Sequence, residues 1–174
     1  NYKANIKTSN LVWHAEKLSA KHFGNIQLKS GELRINCDGR LVGAKFVINM
    51  RSITNQDIES KQYKAILVDD LKSSRFFDVE KYPEAIFELL RSTPLGKNKF
   101  NLLGQLNIKG KLAPVNIPLE LKYKDNGKVL AVGECSFDRT KYGLKYGSNS
   151  FFDNLGDEAI SDIIRLEFEI ELEK

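Results

Sequence analysis

The sequence predicts an all-β protein: an eight-stranded antiparallel up-and-down barrel that also carries one or two short helices. Most of the chain alternates apolar and polar side chains with a period of two, which is typical of strands that bury one face. The C-terminal stretch shows this best, because apolar residues at every second position from Ile164 to Leu172 alternate with charged residues from Arg165 to Glu173. Eight such stretches cover residues 11–17, 24–36, 40–50, 84–92, 98–109, 114–124, 128–138 and 161–173. An even number of amphipathic strands suits a closed barrel, because closure removes the two unpaired sheet edges.

Short links between the strands are marked by residue pairs that favour tight turns. Asp38-Gly39 and Asn126-Gly127 suit type I′ turns, in which both central residues have positive φ. Ser30-Gly31 lies inside the second predicted strand and indicates a β-bulge there. The links therefore favour antiparallel pairing of strands that follow one another in the chain.

One segment, residues 55–72, departs from the strand pattern and predicts a helix. Apolar residues between Tyr63 and Leu71 fall on one helical face. Asp57 is a suitable N-cap. This helix joins the third and fourth predicted strands, and we expect its apolar face to cover the mouth of the barrel.

Two segments rich in aromatic and acidic residues stand at junctions between predicted strands. Residues 76–87 begin with Phe76-Phe77-Asp78, and residues 138–153 end with Phe151-Phe152-Asp153. The two connections leave the third and seventh predicted strands, and odd-numbered strands of an up-and-down barrel all end at the same rim. We therefore expect both segments to surround a single entrance, folded over an apolar opening that admits an apolar ligand.

Small residues on the inward faces affect whether side chains fill the interior of the barrel. The alternation places Val42 on an inward face, and the small residues assigned to inward faces are Gly43, Ala44, Gly104, Ala131 and Gly133. An eight-stranded barrel has the size at which side chains either just fill the interior or leave room for one ligand. Small residues leave space for a long, narrow cavity, whereas in a filled barrel they mark bulges or bends. The pattern leaves both interpretations open.

The composition predicts one globular domain that spans residues 1–174. The chain has 27 Lys and Arg against 23 Asp and Glu, and this excess is spread along it, so no nucleic-acid partner is expected. No run approaches the roughly 18 to 20 apolar residues that cross a bilayer. The chain begins with Asn1 rather than Met, so we expect that a segment was removed, by a signal peptidase or artificially. Cys37 and Cys135 could form one disulfide or be two buried thiols.

The sequence carries no recognisable catalytic or metal-binding motif. His14 and His22 lack the spacing of a zinc site, and we expect both to be packing or surface residues. Arg139, after Asp138 at the end of an apolar strand, could hold a carboxylate or phosphate, or pair with a nearby acid. We predict no catalytic residue, no metal and no cofactor.

Seven landmarks run in order along nearly the whole chain. They are Val12-Trp13, His22-Phe23-Gly24, Ile48-Asn49-Met50-Arg51-Ser52-Ile53, Ser74-Arg75-Phe76-Phe77-Asp78-Val79, Tyr82-Pro83-Glu84-Ala85, Gly104-Gln105-Leu106-Asn107-Ile108-Lys109-Gly110 and Asp138-Arg139-Thr140-Lys141-Tyr142-Gly143. Together they resemble the YceI-like, polyisoprenoid-binding family of bacterial lipocalin-like proteins. The chain departs from the family pattern at Asn49, where Asp is usual, and at Asn107, where Thr is usual. Residues 146–157 are longer than in simpler members and could cap the barrel.

The resemblance implies a lipocalin-like barrel with a helix near its mouth. It also implies non-covalent binding of an isoprenoid or other long amphiphile in the interior, with no catalytic residue carried over. Most members are exported to the periplasm and many are homodimers, so both are expected here, although a cytoplasmic location stays open.

The leading hypothesis is therefore transport or storage of a long-chain lipid. The alternatives are an enzyme that acts on a sequestered lipid and a ligand-free stress-response or interaction module. Arg139, or a lysine at the rim, would meet the head group. The predicted ligand contacts are Trp13, Phe23, Phe46, Ile48, Phe76, Phe77, Phe87, Leu106, Phe137, Arg139, Tyr142, Phe151, Phe152, Ile164 and Phe168.

Overall fold

The structure is a computed structural model that describes residues 1–174, and it forms a closed antiparallel barrel. Its elements are β1 (Tyr2–Ala4), β2 (Asn10–Glu16), β3 (Lys21–Ile35), β4 (Leu41–Asn49), α1 (Lys61–Lys72), β5 (Glu84–Gly96), β6 (Lys99–Ile108), β7 (Lys111–Tyr123), β8 (Val129–Asp138) and β9 (Ile163–Glu173). Strands β2 to β9 pair with their chain neighbours, and β9 pairs with β2 to close the ring. The predicted eight-stranded up-and-down barrel with a helix between its third and fourth strands is confirmed.

The short strand β1 was not predicted. It pairs with β3 and β9 beyond the end of β2, with Lys3 opposite both Glu32 and Glu173. Between β1 and β2 the chain makes a turn, in which Ser9 donates from its amide and its hydroxyl to the carbonyl of Asn5. Thus β1 and β2 are two parts of one barrel strand. Three residues are too few to show a period of two, so the pattern could not indicate β1.

Two irregularities in the β3–β4 ladder change which side chains point inward. One lies between Leu28 and Ser30, and it confirms the predicted bulge. The other lies next to Arg34 and turns Leu41 into the core while Val42 faces solvent. The inward assignment of Val42 was therefore wrong, because a bulge shifts the alternation by one residue.

Helix α1 begins later than predicted because the residues before it are held elsewhere. Its N-cap is Ser60, whose hydroxyl accepts from the amide of Tyr63. The predicted cap, Asp57, lies 2.7 Å from His22 Nδ1 and also accepts from the amide of Phe23. These hydrogen bonds hold the pKa of Asp57 below its usual value although burial opposes the shift. They fix residues 55–58 against the start of β3 as an irregular segment that bends at residues 56 and 57.

Three aromatic rings lie flat against the barrel wall because the neighbouring strand has a glycine there. A Cβ on Gly31 would stand 2.4 Å from the ring of Phe46, and one on Gly104 would stand 2.2 Å from that of Phe87. Gly133 accommodates Phe168, directly opposite in the β8–β9 pair, in the same way. In each of these glycine–aromatic pairs, the ring covers a strand position that has no side chain of its own. The small inward residues therefore make room for rings on the wall and leave space along the axis.

Replacing Gly31 by alanine tests this arrangement. The new methyl group would force the Phe46 ring inward, since ring and Cβ would be 2.4 Å apart. We expect Gly31→Ala to lower the free energy of unfolding by about 1–3 kcal/mol, measured by urea denaturation. In a Phe46→Leu background the same change should cost less, because the ring is gone and the remaining close contact is Ala4 Cβ at 2.9 Å.

The control is Ser30→Ala, an exposed neighbour in the same bulge, which should change stability by less than about 0.5 kcal/mol. If Gly31→Ala lowered the free energy of unfolding equally in the parent and in the Phe46→Leu background, contact with the ring would not be the reason for a glycine at this position.

Candidate functional site

The barrel encloses an apolar cavity of about 140 Å³. All 26 side chains that line it are hydrophobic, and every strand from β2 to β9 contributes at least two of them. This follows from the alternation of side chains along each strand, since closure turns eight apolar faces toward one axis. The cavity is partly open to the surface.

One end of the cavity is covered by the end of α1 and the turn that follows. Leu71 and Phe77 both line the cavity there. The turn is held by backbone hydrogen bonds from Phe77 to the carbonyl of Leu71 (3.0 Å) and from Val79 to that of Lys72 (3.0 Å). The rest of the helix covers little, because Tyr63 is 67% exposed and Ile66 56% exposed. The helix therefore contacts the barrel mainly through its C-terminal end.

The two aromatic segments meet at this same end, as predicted. The rings of Phe76 and Tyr146 pack edge to face with centroids 5.4 Å apart. The guanidinium of Arg75 lies 4.7 Å above the Tyr146 ring. The second segment thus packs on the outside of the first. None of its residues lines the cavity, although Phe137, immediately before it, does.

Arg139 holds the long connection between β8 and β9 in place. Its Nε donates to the carbonyl of Ser161 (2.9 Å) and its Nη2 to that of Ile160 (3.0 Å). Its Nη1 donates to the carbonyls of Leu144 (2.6 Å) and Tyr146 (2.8 Å). With 2% of the residue exposed, the guanidinium is enclosed by backbone oxygens from both ends of the loop.

The charge of Arg139 is balanced locally. Burial lowers the pKa of Arg139, and the carboxylates of Asp162 and Asp138 oppose that shift. Asp162 Oδ1 lies 3.8 Å from Nη2. The predicted pairing with a nearby acid is thus present. Four of the five N–H donors of Arg139 are taken by backbone carbonyls, and its contact with a head group stays a prediction.

Cys135 is the one residue in the cavity lining whose side chain titrates. Burial raises the pKa of its thiol to about 12, and the nearby carboxylate of Glu134 adds to the shift, so the thiol stays neutral. Cys37 is exposed, and both cysteines are free. The predicted disulfide is absent, and of the two predicted buried thiols only Cys135 is buried.

The histidines lie away from the cavity, as predicted. His14 stacks on Phe23 with ring centroids 6.0 Å apart, and its Nε2 lies 3.3 Å from Glu167. His22 pairs with Asp57. No group of three or more His, Cys, Asp or Glu side chains is arranged to hold a metal ion. No helix has both the length and the apolar character needed to span a membrane.

The YceI-like domain family matches residues 2–172. The chain belongs to this family. A similar crystal structure is that of BcnA from Burkholderia cenocepacia, with 20% identity, a TM-score of 0.77, and coverage of 97% of this chain and 98% of that one. Another is a polyisoprenoid binding domain from Saccharophagus degradans implicated in plant cell wall breakdown, with 16% identity, a TM-score of 0.73, and coverage of 99% and 97%.

A third similar structure is the Campylobacter jejuni YCEI protein, at 19% identity and a TM-score of 0.62, with coverage of 84% of this chain and 83% of that one. At these identities the likeness establishes the fold. No curated protein sequence matches the chain.

The predicted ligand contacts of this YceI-like chain divide into two groups. Those that line the cavity are Trp13, Phe46, Ile48, Phe77, Phe87, Leu106, Phe137, Ile164 and Phe168. Their contact with a ligand stays a prediction. The others lie outside the lining, and they are Phe23, Phe76, Arg139, Tyr142, Phe151 and Phe152.

Each residue of the second group lies outside the cavity lining because of its local structure. Phe23 precedes the inward Gly24 and so faces solvent. Phe76 packs on Tyr146 instead of entering the barrel. Phe151 and Phe152, about half exposed, stand in an irregular loop whose path has no period to follow. Arg139 and Tyr142 are buried in the turn after β8.

The cavity also includes residues that the candidate list omitted. Most are inward strand residues, such as Leu11 and Ile117, and the same alternation could have identified them. Met50 and Ile53 lie in and just after a 3₁₀ turn that follows β4. Met50 continues the alternation of β4, whereas Ile53 has no periodic signal. Trp13 shows how this turn is fixed, because its indole Nε1 donates to the carbonyl of Thr54 (2.9 Å).

A lysine in place of Arg139 tests the role of the guanidinium. Lysine keeps the charge but lacks the planar fork that reaches four carbonyls at once. We expect Arg139→Lys to lower the free energy of unfolding by about 2–4 kcal/mol, since buried acceptors lose their donors. Limited proteolysis should also cut faster between residues 144 and 160.

The matched control is Arg75→Lys at the same end of the barrel, where the side chain is 52% exposed. It should cost less than about 0.5 kcal/mol. If the two variants were equally stable and equally resistant to protease, Arg139 would not be what holds the connection.

Proposed function

We propose that the protein binds an isoprenoid or another long-chain amphiphilic lipid non-covalently inside the barrel, for transport or storage. The observation that carries this proposal is the cavity, whose lining is hydrophobic on all eight barrel strands and at the covered end. Such a lining favours an apolar guest over water, because it has no polar partner to offer.

The affinity would come from burial of apolar ligand surface. Each Å² removed from water contributes about 25 cal/mol, so a hydrocarbon chain binds without a specific polar contact. A site of this kind discriminates weakly between chains of similar width. We therefore expect a class of ligands rather than one molecule.

The cavity size constrains how a long chain is held. Its 140 Å³ is close to the ~150 Å³ of an engineered apolar cavity that admits benzene. A longer chain therefore fits when rings around the axis change rotamer or when part of the chain stays in the mouth. Phe77 and Phe137 are the lining rings at that end of the barrel.

Family membership supports the same class of ligand. A structural neighbour from Saccharophagus degradans is described as a polyisoprenoid binding domain. We extend that chemistry to this chain, and with it an exported, periplasmic location and a homodimer. The proposed role is not catalytic.

Two competing functions have less support. An enzyme acting on a sequestered lipid needs an acid, a base or a nucleophile in reach of it, and the lining offers only the neutral thiol of Cys135. A ligand-free module is expected to have a filled barrel, whereas this barrel contains an apolar cavity along its axis.

The test combines extraction with a cavity-blocking variant. Organic extracts of the purified protein should contain a lipid by mass spectrometry, and the protein should bind a fluorescent prenyl probe. Ala131→Phe places a ring in the cavity, which Ala131 lines. We expect this variant to fold and to lose at least about tenfold in probe affinity, because the ring occupies the volume the probe needs.

Ala65→Phe, the same change at an exposed site on α1, serves as the control and should bind as the parent does. A protein that retains no lipid and takes up no prenyl probe would defeat the proposal. Equal probe binding by a folded Ala131→Phe variant would place the probe outside the cavity.

A further inference from the structure

The hydroxyl of Tyr142 is buried and has no hydrogen-bond partner in the protein. The residue is 1% exposed and lies in the turn of residues 139–142, directly after β8. An unpaired buried hydroxyl costs about 1–3 kcal/mol relative to one that is paired. Phenylalanine would fill the same space without that cost, so packing alone does not explain a tyrosine here.

The polar groups next to Tyr142 in the chain are engaged with other partners. Asp138 Oδ1 accepts from the amide of Thr140 (2.9 Å) and from its hydroxyl (2.6 Å). The guanidinium of Arg139 donates to four backbone carbonyls of the connection between β8 and β9. The Tyr142 hydroxyl is thus the unsatisfied group of an otherwise well-bonded turn.

Tyr142 stands next to the cavity wall. Its ring packs edge to face on Phe137, with centroids 5.7 Å apart and an angle of 90° between the ring planes. Phe137 lines the cavity, as does Cys135 two residues earlier on the same inward face of β8. A ligand chain too long for the cavity must displace some of the lining rings. Phe137 is the lining ring that also packs on Tyr142.

We propose that the Tyr142 hydroxyl pairs with an uncharged polar group, a hydroxyl or a carbonyl, carried by the ligand in the cavity. This inference rests on the proposed lipid binding and narrows its ligand class to alcohols and ketones. The ligand's apolar body lies among the lining side chains, and its polar group reaches Tyr142 when the Phe137 ring turns aside.

The surroundings favour a neutral group over a phosphate or a carboxylate. Burial raises the pKa of Tyr142 to about 12, with Cys135 and Asp138 adding to the shift, so the phenol stays protonated. The same negative field of Asp138 opposes an anionic ligand group. Arg139, in the same turn, gives four of its five N–H donors to backbone carbonyls and so has little capacity left for an anionic group.

The experiment compares Tyr142→Phe with the parent protein, using three probes that share one isoprenoid chain. The probes are farnesol, the matching hydrocarbon without the hydroxyl, and farnesyl phosphate, each measured by displacement of a fluorescent apolar dye. We expect Tyr142→Phe to weaken farnesol binding about fivefold, the effect of one net hydrogen bond, and to change hydrocarbon binding less than about twofold. Farnesyl phosphate should bind the parent protein more weakly than farnesol.

Tyr63→Phe makes the same change on an exposed tyrosine of α1 and should leave all three affinities unaltered. Tyr142→Phe should melt at the same temperature as the parent or higher, because it removes an unpaired buried group. This readout separates a ligand contact from a structural role, in which the variant would melt lower and keep the parent's preference for the alcohol.

The outcomes distinguish this inference from the proposed function. If the hydrocarbon and farnesol bind but Tyr142→Phe weakens both equally or neither, the inference is wrong and lipid binding stands. Tighter binding of the phosphate through Tyr142 would likewise overturn it. If no probe binds the parent protein, both proposals fail.

Discussion

Closure of the barrel is the constraint on which the rest of the structure depends. Strand β9 pairs with β2 through residues 165–169, with Leu11 opposite Phe168 and Trp13 opposite Leu166. This last pairing leaves no sheet edge open in the eight-stranded ring and turns eight apolar faces toward one axis. The short strand β1 extends the same closure, since it bridges β3 and β9 where β2 has not yet begun. Without the β2–β9 pairing there would be neither an enclosed cavity nor a mouth for α1 to cover.

Within the closed barrel, the glycines decide how much space remains. Phe46, Phe87 and Phe168 are large enough to fill the axis, yet each lies against a glycine on the neighbouring strand. Their apolar area is buried on the wall, so the interior stays hydrophobic without being packed solid. At the mouth, the lining side chains Leu71 and Phe77 belong to the end of α1 and the turn after it rather than to a strand. An apolar axis closed by a separate segment is a suitable arrangement for a guest that enters from one end.

Two buried polar side chains in one turn show opposite solutions to the cost of burial. Arg139 gives its donors to four backbone carbonyls, and so converts a buried charge into the clamp of a long loop. Tyr142, three residues later, has no such partner. Four of the five donors of Arg139 are paired within the protein, and its role is structural. The Tyr142 hydroxyl has no hydrogen-bond partner in the protein, and the proposed partner is therefore a polar group of the ligand.

The sequence by itself determined the barrel and most of its inward faces. Alternation with a period of two is a local property, and it reports burial on one side wherever the strand is regular. The β2–β9 closure was also expected, because an even set of amphipathic strands with short links suits a closed barrel, which has no sheet edge. The shared rim of the two aromatic segments followed from strand parity alone, and the contact of Phe76 with Tyr146 agrees with it.

Only the tertiary structure decided what the irregular parts do. The bulge beside Arg34 reversed Val42, and the bonds of Asp57 delayed the start of α1. The path of residues 139–162 is fixed by one guanidinium that reaches carbonyls up to 22 residues away, and on this path Phe151 and Phe152 lie outside the cavity lining. Such contacts are long-range and have no periodic signature. The strand faces were therefore predictable from the sequence, whereas the loops that complete the site were not.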